Sequence, residues 1–91
     1  MINDRESIEA ILTGQKFTFA KTMANIPHEY TLRKNWASDQ DFINVVNFIR
    51  EHGKEERFFR KTFVYYYCNG YKYWTMGNPM DITRLINRAK V

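Results

Sequence analysis

The sequence predicts an α+β fold, a mostly antiparallel sheet built around a central aromatic β-hairpin with two to three helices packed on it. Three observations carry this prediction. Residues 62 to 76 alternate β-branched and aromatic side chains about Asn69-Gly70, a dipeptide that favours a type I′ turn because both residues tolerate positive φ. Behind Ser38, the residues Phe42, Val45, Val46 and Ile49 fall at the spacing that stacks side chains on one helical face. At 91 residues the chain suits one core, since two would each bury too little surface to offset the entropy of ordering their chains. Residues 1–91 are therefore read as a single domain.

Taken in order, Ile8, Ile11 and Leu12 mark a first helix from Asp4 to Thr13, with Gly14 as its stop. Phe17 and Phe19 alternate with Thr18 and Ala20, the pattern of a short strand with both rings toward the core. After the break at Ile26-Pro27, residues His28 to Arg33 alternate as a second strand, with Tyr30 and Leu32 on one side and Glu29, Thr31 and Arg33 on the other. Ser38 with Asp41 three residues later resembles a capping box, so the second helix starts there, runs to about His52 and ends at Gly53 in a left-handed cap. Lys54-Glu55-Glu56-Arg57 then reads as a charged loop.

The two-residue loop at Asn69-Gly70 sets Cys68 opposite Tyr71, Tyr67 opposite Lys72, Tyr66 opposite Tyr73, Tyr65 opposite Trp74 and Phe63 opposite Met76. One hairpin face holds Val64, Tyr66, Cys68, Tyr71, Tyr73 and Thr75; the other holds Phe63, Tyr65, Tyr67, Lys72, Trp74 and Met76. Both are rich in rings, so either two layers cover the sheet or one face is kept for a partner. Gly77-Asn78-Pro79 ends the hairpin. Two readings stand for the last segment: a short helix capped by Asp81 with Ile82, Leu85, Ile86 and Ala89 on one face, or a strand through Thr83 to Asn87.

Composition narrows the class. Hydrophobic residues make up 44% of the chain, including seven Phe, six Tyr and two Trp, which is unlike a disordered segment. Cys68 is the single cysteine, so no intramolecular disulfide forms and a reducing compartment is favoured. Acids among the first residues with no long apolar run behind them argue against a signal peptide, and no stretch approaches the roughly 18 apolar residues of a membrane span. A cytoplasmic protein without membrane contact is expected. The net charge of +4 permits anionic partners, although mixed signs in Lys54 to Arg57 lack the basic stripe of a strong duplex-DNA binder.

The sequence has no zinc-ligand spacing, no Gly-rich phosphate loop and no Gly-x-Ser-x-Gly elbow, and no cofactor or metal is expected. Cys68 beside a tight turn reads as a strand residue, and His52 as a helix-terminal cation. The suggestive constellation joins cations to rings: Lys21, Arg33, Lys34 and Lys72 interleave with Tyr30, Tyr65, Tyr67 and Trp74, with Arg84 and Arg88 near the end of the chain. Rings stack on bases while guanidinium and ammonium groups hold phosphate. Thr22, Thr75 and Asn87 add neutral donors.

The segments Phe17 to Met23, Ile26 to Arg33, Tyr73 to Gly77 and Leu85 to Arg88 resemble a group of small proteins of bacteria and their viruses to which no reaction or ligand has been assigned. That resemblance implies no catalytic residue. It does single out Lys21, Thr22, His28, Tyr30, Arg33, Trp74, Thr75, Asn87 and Arg88 as matching polar positions. The expected function is a non-enzymatic module binding a nucleotide or single-stranded nucleic acid. Lys21, Arg33 and Arg88 meet phosphate, Trp74 and Tyr30 stack on the base, and His28 and Thr75 orient it. The alternatives are a protein-interaction or homodimerisation module, one form being a virus-encoded inhibitor of a host protein, and a small enzyme using His28 as general base.

Overall fold

Asp4 starts the first helix, α1 (Arg5–Leu12), by accepting the Ser7 backbone N–H at 2.8 Å and the Ser7 hydroxyl at 2.9 Å. These bonds satisfy donors that a first turn leaves open. Gly14 follows the helix with φ +84°, the left-handed conformation its missing Cβ permits. The computed structural model describes residues 4–14, 17–21, 29–75 and 82–91.

The two expected strands are present as β1 (Phe19–Lys21) and β2 (Glu29–Thr31), which pair antiparallel with each other. Arg33, expected in the second strand, lies instead in a 3-10 turn (Arg33–Asn35), where Asn35 N–H donates to Leu32 O at 2.9 Å. The chain bends there and carries Trp36 into the core. The Trp36 ring meets Phe17 at 4.5 Å and Phe42 at 5.2 Å, and its indole N–H donates to Arg84 O at 2.7 Å.

α2 (Asp39–His52) begins as expected, with Ser38 Oγ accepting the Asp41 N–H at 3.2 Å. Its end does not match the expected cap. Gly53 is extended at φ −80°, ψ 170°, so its glycine is not explained by a left-handed turn. Close approach explains it: a Cβ there would lie 2.4 Å from Ile49 O, 2.6 Å from Val64 Cγ1 and 2.8 Å from Tyr65 O.

Residues 54–57, expected as a loop, belong to strand β3 (Lys54–Phe58), paired along its length with β4 (Lys61–Cys68). Its charges concealed it, because an exposed edge strand needs no apolar face and is protected by charge from pairing with another chain. β4 continues into β5 (Tyr71–Trp74) through Asn69 at φ +52° and Gly70 at φ +80°, with Cys68–Tyr71, Tyr67–Lys72 and Tyr66–Tyr73 opposed as expected. Tyr65 pairs with Lys54 and Phe63 with Glu56 on the other side of the strand, while Met76 lies outside the described residues.

The last segment is not a helix. Arg84 takes φ +52°, which a right-handed helix excludes, and Asn87–Lys90 forms β6 between β2 and β5. The strand alternative named the right type, but the strand begins at Asn87, where that range ended. Inserting the segment satisfies backbone groups along two strand edges at once, which outweighs the single apolar stripe a helix would offer. The sheet order is β1-β2-β6-β5-β4-β3, and every pairing is antiparallel.

Both helices lie on one side of this sheet. Ile8, Ile11 and Leu12 of α1 join Phe42, Val45, Val46, Phe48 and Ile49 of α2 in a core with Trp36, Tyr66, Tyr73 and Ile86. Among the described residues β4 pairs with β3 alone over Lys61 to Tyr65, a two-stranded arm roughly 13 Å long at the usual rise per residue. Its tip is the two-residue turn Phe59-Arg60.

Candidate ligand-binding face

Alternation along each strand assigns every side chain to the helix side or the opposite side. Val64, Tyr66, Cys68, Tyr71 and Tyr73 pack on the helices. On the other side, the paired positions align Tyr30, Asn87 and Trp74 in one row and Tyr67, Lys72 and Ala89 in the next, followed along the arm by Tyr65, Phe63 and Phe58. The two-sided ring pattern thus resolves into one core face and one face turned away from the helices.

Rings on this second face touch one another. Trp74 meets Tyr65 edge-on at 5.4 Å, and Tyr65 has Phe63 at 6.0 Å and Tyr67 at 6.5 Å. Lys72 Nζ stands 4.6 Å over the Tyr65 ring, an arrangement that attracts the cation to the ring while leaving charge at the surface. Lys54 is across from Tyr65 and Lys61 across from Phe58. Tyr67 is 43% exposed, and its hydroxyl donates to the Glu56 carboxylate. That bond, with lesser help from burial and the Glu56 charge, pushes the Tyr67 phenol up to about 12, so the ring is neutral at physiological pH.

The expected site residues divide across the sheet. Tyr30, Trp74 and Asn87 share the ring face, with the Asn87 amide nitrogen buried and unpartnered. Arg88 sits on the helix side, opposite Tyr73. Its guanidinium lies 4.0 Å from the centre of Phe19 and 4.4 Å from that of Tyr71, and it donates to Glu29 Oε2 at 3.2 Å. Those partners hold its side chain on the helix side, apart from the ring face that carries Tyr30 and Trp74. Lys21 lies across from Glu29, again on the helix side, and Arg33 is exposed on its 3-10 turn. Thr75 is half-buried after β5. Thr22 and His28 lie outside the described residues.

Sequence reasoning missed Lys54, Phe58, Phe59, Arg60 and Lys61 because no Asn-Gly or Asp-Gly marks their turn. A signal was available in two adjacent Phe between runs of β-compatible length. Phe58 is 60% and Phe59 85% exposed, their rings meeting edge-on at 4.6 Å. Phe59 has φ +56°. A bulky residue in that region carries about 1 to 2 kcal/mol of strain.

The helix side offers less for chemistry. A shallow cleft of about 720 Å³ between α1 and the Asn69 turn is lined by Arg5, Glu9, Thr13 and Cys68 among others. Burial pushes the Cys68 thiol up, away from the thiolate a nucleophile needs. Tyr66 donates to Glu9, which holds the carboxyl below its ordinary value; the phenol is raised to about 12, mainly by burial and then by that bond. His52 stacks on Phe48 at 4.4 Å. Among the described residues no three His, Cys, Asp or Glu side chains gather to hold a metal, and no helix is long and apolar enough to cross a membrane.

Comparison of the chain with protein-family models, with curated proteins and with solved structures finds no match.

Proposed function

We propose that the protein is a binding module for single-stranded nucleic acid, held on the sheet face that the helices leave uncovered. The observation that carries this reading is the run of rings Trp74, Tyr65, Tyr67 and Phe63 with Lys72 set over Tyr65 and Lys54 beside it. Bases stack on such rings whatever their sequence, and each stacked base contributes about 1 to 3 kcal/mol. The lysines meet phosphate and release its counterions. Tyr30 widens the platform two strands away.

A homodimer paired through sheet edges is less well supported. β1 is three residues long, and β3 carries Lys54, Glu55, Glu56 and Arg57, which resist edge-to-edge pairing. Sedimentation of a stable dimer indifferent to oligonucleotide would favour that alternative.

The direct test is fluorescence anisotropy of short labelled DNA and RNA strands at low salt. Binding should weaken as salt rises, and Tyr65→Ala or Lys72→Ala should lower affinity while circular dichroism stays native. Removing a stacked ring should weaken binding by roughly five- to a hundredfold. Absence of binding to every strand at low salt, with the protein folded, refutes the proposal.

A further inference from the structure

We infer that the tip of the β3–β4 arm is a wedge that enters nucleic acid where a duplex gives way to a single strand. Phe59 stacks on the last base pair, and Arg57, Arg60 and Lys61 hold the flanking phosphates. The inference rests on reading the ring face as a single-strand surface and names the junction at which that strand begins.

Four observations converge on the tip. Phe59 occupies a position where φ is +56° and glycine would be free of strain, yet it is 85% exposed. Among the described residues its ring partner is the neighbouring Phe58, itself mostly exposed, so the fold gains little from a phenyl group there. An exposed residue held in a strained conformation points to use by a partner. The turn is braced as well, since Arg57 Nε donates to Phe59 O at 3.4 Å.

Charge states the partner's chemistry. Residues 57 to 61 contain three bases and no acid. By register, Lys61 stands on the ring side of the arm and Arg57 on the other, with Arg60 in the turn between them. Cations on both flanks of a projecting aromatic suit phosphates on both strands beside a base step. Side chains of this kind enter between or against base pairs in proteins that distort DNA.

Shape and continuity favour a duplex end over a bilayer. The tip is a two-residue turn with two exposed rings, too small to wrap a single strand but able to press on the flat face of a terminal pair. From Phe58 the rings continue through Phe63 and Tyr65 to Trp74, giving the unpaired strand a continuous path onto the sheet. A bilayer would meet the tip alone.

The experiment compares a single strand, a blunt duplex and a duplex with a single-stranded overhang, carrying 2-aminopurine at the terminal pair, with wild type, Phe59→Gly and Tyr65→Ala. Wild type should prefer the overhang duplex and change the 2-aminopurine emission. Phe59→Gly, which relieves the strained turn and so should fold, should lose about tenfold in affinity for the overhang duplex and abolish the emission change, while holding the single strand as before. Tyr65→Ala should weaken both ligands.

Equal binding of the junction by wild type and Phe59→Gly, or no junction preference in wild type, overturns the wedge and leaves the ring-face reading standing. A junction preference that needs Phe59 but ignores Tyr65→Ala supports the wedge and counts against the ring face. No binding of any nucleic acid overturns both. Phe59-dependent capture by phosphatidylserine vesicles without a junction preference overturns the wedge in favour of a membrane contact.

Discussion

Replacing Gly53 by alanine tests the junction between α2 and the arm, because the position looks innocuous by backbone angle and crowded by contact. At φ −80° alanine is allowed, and a Gly-to-Ala change at a compatible site ordinarily stabilises by about 0.4 to 1 kcal/mol by narrowing the unfolded ensemble. Here the added carbon would lie 2.4 Å from Ile49 O and 2.8 Å from Tyr65 O, both backbone atoms, besides 2.6 Å from the Val64 methyl. The methyl can turn away; the two carbonyls move only with the helix end and the strand. Overpacking of this kind costs about 1 to 3 kcal/mol, which less the chain-entropy gain leaves an expected net loss of about 1 kcal/mol. In urea the midpoint should fall by about 0.5 to 1 M with the slope unchanged. Asparagine separates this account from a left-handed cap, which it would tolerate better than alanine. At Gly53 it should be at least as damaging. Stability of Gly53→Ala within about 0.5 kcal/mol of wild type, or a milder effect of Gly53→Asn, would refute the crowding argument.

Phe59→Gly should raise stability by about 1 kcal/mol in chemical denaturation, because it releases strain at φ +56°; a loss of similar size would mean the phenyl packs usefully. Arg88→Ala should lower stability by about 3 kcal/mol, since it strips a guanidinium from two rings and leaves Glu29 without its ion-pair partner. Oligonucleotide affinity of the folded fraction should be unchanged. Tyr66 has its phenol raised to about 12, so the fold favours its protonated form. Its contribution is complete below about pH 10 and declines as pH rises toward 12; stability measured across that window should fall less in Tyr66→Phe than in wild type. Glu9 is shifted downward, so its contribution is present above the ordinary carboxyl value and is lost as pH falls through the folded one. Glu9→Gln should blunt the acid-side loss in the same denaturation series.

Local chemistry explains which elements were legible. Asp4 and Ser38 stand beside the backbone donors they cap, and Asn69-Gly70 supplies positive φ at two adjacent residues, so α1, α2 and the aromatic hairpin with its register followed from neighbours in the chain. β3 did not, because an exposed edge strand is stabilised by its backbone ladder to β4 and shows no apolar period. β6 was masked for a different reason: Ile82, Leu85, Ile86 and Ala89 suit a helix locally, while the two strand edges that capture Asn87–Lys90 come from residues 29–31 and 71–74.

The candidate site divides along the same line. Alternation showed that the hairpin has two ring-bearing faces; only the packing of α1 and α2 against Tyr66 and Tyr73 decided which one meets the helices. Composition placed Arg88 among the cations, but its enclosure between Phe19 and Tyr71 depends on strands distant in sequence. The sequence by itself determined caps, turns and side-chain alternation, which act over a few residues. Tertiary structure decided the fate of each face, the place of the last strand and the reason for Gly53, because each depends on which distant segment occupies the adjoining space.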